Sequence, residues 1–125
     1  MKFKLVESLD NQYYRITVVN DTGKQVGGLF RGLNSLVREL WDEDNPLYDE
    51  INEPLSELEY HTNYPESFDY PNAKFAYKES KYKELHETIL DLKEGLQKID
   101  WDLEITKLNK PDNIVYEDSD QIAYV

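Results

Sequence analysis

The apolar residues between positions 82 and 99 recur at the spacing of an α-helix, and this regularity constrains the fold more than any other feature of the chain. The intervals alternate between three and four residues, which places the apolar side chains on one helical face. We therefore predict a long amphipathic helix over 82–99, whose start could lie as early as Asn72, just after Pro71. The apolar face consists of Tyr82, Leu85, Ile89, Leu92, Leu96 and Ile99.

Residues on both sides of this helix alternate between apolar and polar, which is the period of half-buried β-strands. In the N-terminal part, the turn sequence "NDTGK" at 20–24 joins two of the predicted strands, because Asn, Asp and Gly suit tight turns. The strands are predicted at 2–8, 13–20 and 25–30, then at 101–107, and as two short strands on either side of 117–120.

A shorter helix is predicted from "LNSLVRELW", residues 33–41. Asn34 or Ser35 would cap its start, and Pro46 disfavours helix at Asn45, so the helix should end by Asp44. Its core-facing residues are predicted to be Leu36, Val37, Leu40 and Trp41.

Together these elements predict a single α+β domain over residues 1–125. An N-terminal three-stranded antiparallel meander and the C-terminal strands would pack on the long amphipathic helix, accompanied by the shorter one. The chain is long enough for a core without disulfides, and it contains no cysteine. No apolar segment approaches the length of a signal peptide core or a membrane span, so we expect a soluble, cytoplasmic protein.

Negative charge is concentrated in the middle of the chain. The formal net charge is −12, and residues 39–73 contain eleven Asp and Glu but no Lys or Arg. A surface of this sign repels nucleic acid and anionic membranes and attracts basic proteins. We therefore predict a basic protein partner, such as a nucleic-acid-binding protein or a toxin, and neither direct nucleic-acid binding nor membrane binding.

The same part of the chain, residues 42–72, is rich in aromatic residues and has no clear period, so we predict an irregular segment within the domain. It holds too many apolar groups for a solvated linker. Leu47, Ile51, Leu55 and Leu58 could line one side of helical turns, which Pro54 would break or begin. The segment should fold onto the body of the protein while exposing its carboxylates.

The sequence offers no motif that favours an enzyme. His86 and Glu87 begin a zinc-protease pattern, but Leu90 stands where its second histidine is required. His61 is the other candidate base, and we interpret it as a loop or partner-contact residue. Acids spaced for calcium at 42–45 and 117–120 do not continue into a complete binding loop. We predict no cofactor, no metal and no catalytic residue.

The function predicted from these features is a non-enzymatic acidic inhibitor, of a phage- or plasmid-type anti-defence kind, that blocks a nucleic-acid-binding site on its partner by mimicking nucleic acid. An immunity protein that neutralises a basic toxin nuclease is the alternative, and a small enzyme or structural domain is a second one. We expect a monomer or weak homodimer. Size, charge and lack of cysteine make the chain similar to small acidic phage inhibitors and toxin immunity proteins.

The predicted partner-binding residues combine carboxylates, which would stand in for phosphates, with tyrosines that supply contact area. They are Asp42, Glu43, Asp44, Tyr48, Asp49, Glu50, Glu53, Glu57, Glu59, Tyr60, Tyr64 and Tyr70.

Overall fold

Strand β1, Gln12–Val19, organises a mixed α+β structure in which the described strands form one antiparallel sheet. The computed structural model describes residues 12–62 and 72–125. The α+β class predicted from the sequence is confirmed. The other elements are β2 (Gln25–Gly28), α1 (Leu29–Asp42), α2 (Tyr48–Tyr60), β3 (Lys74–Lys78), α3 (Glu79–Gln97), β4 (Asp102–Asn109), β5 (Ile114–Glu117) and β6 (Gln121–Tyr124).

The two edges of β1 are occupied differently. Strand β4 pairs along the whole of one edge, from Gln12 opposite Asn109 to Val19 opposite Asp102. The other edge is shared between β2, which pairs near Val18, and β3, which pairs at Tyr13 and Tyr14. Strand β3 then continues the sheet through β6 to β5. The N-terminal and C-terminal strands therefore belong to one sheet.

The turn between β1 and β2 forms where the sequence predicts it. The side-chain oxygen of Asn20 accepts hydrogen bonds from the backbone N–H groups of Thr22 and Lys24, at 3.0 Å each. Gly23 adopts φ +84°, a conformation that glycine tolerates without steric conflict. The β1–β2 pair of the predicted meander is thus confirmed, while the strand predicted at 2–8 lies outside the described residues.

The helices cover one face of the sheet. Leu92 and Ile89 of α3 are fully buried against a core that includes Val18 of β1 and Leu103 of β4. On the opposite face, Tyr13 and residues of β3 and β6 form a smaller apolar cluster. The predicted apolar face of α3 is confirmed, because its four central members are buried and Tyr82 and Ile99 pack at its ends.

The starts of two helices differ from the earliest or expected positions in the sequence prediction. Helix α1 begins at Leu29, without a cap from Asn34 or Ser35, because its buried stripe starts with Leu29 and Leu33. Gly32 lets this first turn lie close to β1, since an added Cβ would sit 2.9 Å from Val18. The long helix does not reach back to Asn72, because β3 forms at Lys74–Lys78 and α3 follows at Glu79.

The third difference concerns the segment predicted to be irregular. Residues Tyr48–Tyr60 form the continuous 13-residue helix α2, with Pro54 inside it. The anticipated apolar side is present, since Ile51, Leu55 and Leu58 are buried. Burial of this stripe between neighbouring helices stabilises α2 enough to offset the hydrogen bond that proline cannot make.

Candidate partner-binding surface

The described acidic surface begins where α1 ends. The N–H of Asp44 bonds to the carbonyl of Trp41 at 3.1 Å, and the N–H of Asn45 bonds to that of Leu40 at 2.9 Å. These two bonds form a Schellman motif, in which the residue at C′ takes a left-handed conformation. Asp44 occupies that position with φ +53°, where glycine is the usual residue. The backbone at this end of α1 is therefore well defined.

The link from α1 to α2 is short and internally hydrogen-bonded. The side-chain oxygen of Asn45 accepts a hydrogen bond from the N–H of Leu47 at 2.9 Å. The backbone carbonyl of Asn45 accepts one from the N–H of Tyr48 at 3.0 Å. Asn45 thus forms an Asx turn that leads into α2, in which the side chain bonds to the backbone two residues on. The carboxylates of 42–44 are consequently held on an ordered turn.

Helix α2 presents its predicted acids to solvent. Asp49, Glu53 and Glu57 follow one another at intervals of four residues, so they form a row along the exposed side of the helix. Glu50 and Glu59 lie on opposite flanks of this row. All five are exposed.

Counted together along the helix axis, the row and its two flanking acids have a charge density close to that of one strand of nucleic acid. At about 1.5 Å per residue, the five carboxylates from Asp49 to Glu59 span about 15 Å, or one charge per about 4 Å. Phosphates along one strand of B-DNA follow at about 3.4 Å along the axis.

One of the predicted acids has a partner within the chain. Glu50 accepts a hydrogen bond from Lys98 at 2.6 Å, which ties α2 to the end of α3. The hydrogen bond and charge of Glu50 hold the pKa of Lys98 above its ordinary value. Among the ion pairs of the described residues, Glu50 is the one predicted surface acid that takes part.

Several of these acids lie at positions that do not favour helix stability. Asp42, Glu43 and Asp44 cluster at the C-terminal end of α1, and Glu57 and Glu59 lie in the last turn of α2, where neither helix has a basic residue. A negative charge at a helix C-terminus opposes the helix dipole and costs about 0.3–1 kcal/mol. Residues that work against local stability are often found at functional sites.

The aromatic residues of the surface are placed unevenly. Tyr60, at the end of α2, is 85% exposed, with its ring 5.0 Å from that of His61, whereas Tyr48 is half-buried. Tyr64 and Tyr70 lie outside the described residues.

The prediction that Trp41 faces the core is wrong, because the Trp41 side chain is 65% exposed. The buried stripe of α1 runs through Leu29, Leu33, Leu36 and Leu40, so Trp41 is rotated off it by one residue. The spacing of these four leucines in the sequence already indicates that Trp41 lies off the buried stripe.

The residues predicted for the surface thus form two adjoining sets, the turn at 42–44 and the exposed side of α2. Protein-family models, curated protein sequences and solved structures all fail to match this chain. The physical properties of these sets are therefore what supports a functional proposal. In the described part of the chain no helix is long and apolar enough to cross a membrane.

Among the described residues, the histidines and the remaining acids do not assemble into a recognisable metal-binding or catalytic centre. His86 is exposed on α3, with its ring 5.6 Å from that of Tyr82, and His61 follows the end of α2. Within residues 12–62 and 72–125, no group of three or more His, Asp or Glu is arranged to hold a metal ion. A cavity of about 230 Å³ lies where β2 and β3 part, and its described lining includes Arg15 and Arg31 but no carboxylate or imidazole.

Proposed function

We propose that this protein is a non-enzymatic inhibitor that binds a basic partner protein and occupies the partner's nucleic-acid-binding site. The observation that supports it most is the set of five ordered, exposed carboxylates on α2, whose mean axial spacing approaches that of phosphates along one DNA strand. A phage- or plasmid-type anti-defence protein is the biological setting we propose.

Order in this surface matters for affinity. The hydrogen-bonded turn at 43–47 and the buried stripe of α2 fix the carboxylates before any partner arrives. Preorganised charges avoid the entropy loss of arranging a flexible acidic tail on binding. Their combined field would speed association with a basic partner, at a rate that falls as salt screens it.

The test begins with a partner isolated from the native host by pull-down. The key variant replaces Asp49, Glu50, Glu53, Glu57 and Glu59 with Asn or Gln. A matched control changes the same number of exposed acids elsewhere, replacing Glu87, Asp91, Glu94, Asp100 and Asp112 in the same way. We expect the first variant to lose the partner and the second to keep it, although both change the net charge equally.

Competition then separates mimicry from other kinds of inhibition. The isolated partner is titrated with an oligonucleotide and with this protein at two salt concentrations. Mutual exclusion with a steep salt dependence supports nucleic-acid mimicry. A stable ternary complex would contradict mimicry and favour an immunity protein that acts beside the nuclease site. Retention of the partner by the α2 variant would reject the acidic surface altogether.

A further inference from the structure

A shallow groove between α1 and α2 contains the largest exposed aromatic side chain of the described surface. Asn34, Val37, Arg38 and Trp41 line it from α1, and Tyr48 closes it from α2. The rings of Trp41 and Tyr48 lie 5.0 Å apart at 57°, so Trp41 is supported on one side while it remains 65% exposed. Burying a Trp removes about 150–250 Å² from water, a gain that folding leaves largely unused here.

Tryptophan is one of the residue types, with tyrosine and arginine, that are enriched among those that dominate protein interfaces. The neighbours of Trp41 indicate what it meets. The three acids at 42–44 follow Trp41 directly, and Asp49 follows Tyr48, while Arg38 is the single base of the groove. These acids are exposed and adjoin Trp41 and Tyr48 in the chain, so they would give the groove a negative rim that complements a cation with a flat apolar surface.

We propose that this groove receives an arginine side chain of the basic partner, with the guanidinium stacked on the Trp41 ring and its charge facing the carboxylates of 42–44. Arginine fits better than lysine because its planar group stacks on aromatic rings and is more weakly hydrated. The inference rests on the proposed function, since it names the partner group that the acidic surface accepts. The α2 acids would set the rate of encounter, and the groove would set the lifetime of the complex.

The experiment uses two peptides of equal charge, an arginine nonamer and a lysine nonamer. The protein carries Trp101→Phe, so that Trp41 is the only tryptophan and its fluorescence reports on the groove. We expect both peptides to bind, the arginine peptide about 2- to 5-fold tighter, as a stacked guanidinium at an exposed site provides. We also expect the arginine peptide to change Trp41 emission more than the lysine peptide does.

Two variants make the result specific. Trp41→Ala, measured by calorimetry, should bind both peptides equally at the affinity of the lysine peptide. Leu90→Ala removes an exposed apolar side chain from α3, outside the predicted partner-binding residues, and should leave the arginine preference unchanged. Circular dichroism confirms that each variant is folded.

The possible failures are distinguishable. Equal affinity of the two peptides for the protein, or an arginine preference that survives Trp41→Ala, overturns the arginine groove and leaves the acidic surface intact. If neither peptide binds, both this inference and the proposed function are overturned. A dimer detected by sedimentation and abolished by Trp41→Ala assigns the groove to a second copy of the chain, and also overturns the inference.

Discussion

Gly95 in α3 lies against the backbone carbonyl of Glu50 in α2, the carbonyl that would accept the hydrogen bond Pro54 cannot donate. A Cβ added at Gly95 would stand 3.2 Å from that oxygen and 3.3 Å from Cγ1 of Ile51. The two helices therefore approach closely because one of them has no side chain at the crossing. The position of the acidic helix on the protein depends on this contact.

Gly95→Ala should consequently destabilise the protein. Overpacking a close contact costs about 1–3 kcal/mol, while alanine in a helix returns about 1 kcal/mol. We expect a net loss of about 1 kcal/mol in the free energy of unfolding, measured by urea denaturation. Ser56→Ala, at an exposed position of α2, should change it by less than about 0.5 kcal/mol. A stabilising effect of Gly95→Ala would show that the helices are further apart.

Leu92 should be among the largest single contributions to the core. It is fully buried on α3, so Leu92→Ala should lower the free energy of unfolding by about 2–5 kcal/mol through lost contacts and a residual cavity. Leu90, two residues earlier on the same helix, is 42% exposed and gives a matched control. If thermal or urea melts of Leu92→Ala and Leu90→Ala coincide, the orientation of α3 is wrong.

Substitutions at two aspartates should separate an effect on stability from an effect on partner binding. Asp44 and Asp100 both follow a helix C-terminus with positive φ, at 53° and 63°. Glycine at either position removes the left-handed strain and a charge opposed to the helix dipole, so each substitution should stabilise the protein by about 0.5–1 kcal/mol. Only Asp44→Gly should weaken association with the basic partner. Equal loss of binding in Asp100→Gly would indicate a general charge effect.

The field around Trp41 can be measured without a partner. In Trp101→Phe, caesium should quench Trp41 fluorescence more efficiently than iodide, each relative to free N-acetyltryptophanamide, because the adjoining acids concentrate cations. The triple variant Asp42→Asn, Glu43→Gln, Asp44→Asn should narrow the difference, as should 1 M salt, which shortens the screening length to about 3 Å. Acrylamide, an uncharged quencher, should act equally on both proteins. A preference for iodide would contradict the predicted negative rim.

Asp102 should make stability depend on pH in the acid range. Partial burial acts to raise the pKa of Asp102, but a hydrogen bond from Lys93 at 2.6 Å, the N–H of Leu103 and the Lys93 charge outweigh it and leave the pKa lowered. The stabilisation is therefore present above the unfolded pKa of about 3.9 and is lost as the pH falls through the lower folded value. Lys93→Gln should be less stable than the parent at pH 6, and urea midpoints of the two should converge towards pH 2.

The sequence predicts those elements whose period is long and unambiguous. The apolar face of α3 repeats over five intervals, and β1 alternates over several residues, so both are predicted correctly. Strand β3 is too short for its alternation to stand out, and helix-forming residues follow it directly. The pairing of β1 with β4 leaves no local signal, because it joins residues from opposite ends of the chain.

The candidate surface was predicted in part for similar reasons. Charge is a property of composition, so the acids of α2 are identified without knowing their geometry. The exposure of Trp41 depends on the phase of α1, and the prediction missed it because a helix that starts after Asn34 leaves Leu29 and Leu33 out of the apolar stripe. The pairing of Glu50 with Lys98 depends on how α2 crosses α3, which no pattern within either helix records.

The pairing of β1 with β4 also sets the order in which the molecule can be assembled. Thr17 and Glu104, opposite each other in the two strands, are 87 residues apart in the chain, with all three described helices between them. During synthesis β1 emerges long before its main neighbour exists, and pairings of such long range form slowly. Until β4 is made, β1 retains an unpaired edge that can join another nascent chain. Fragments that end before residue 102 should therefore aggregate, and completion of β4 is the step that protects the protein from it.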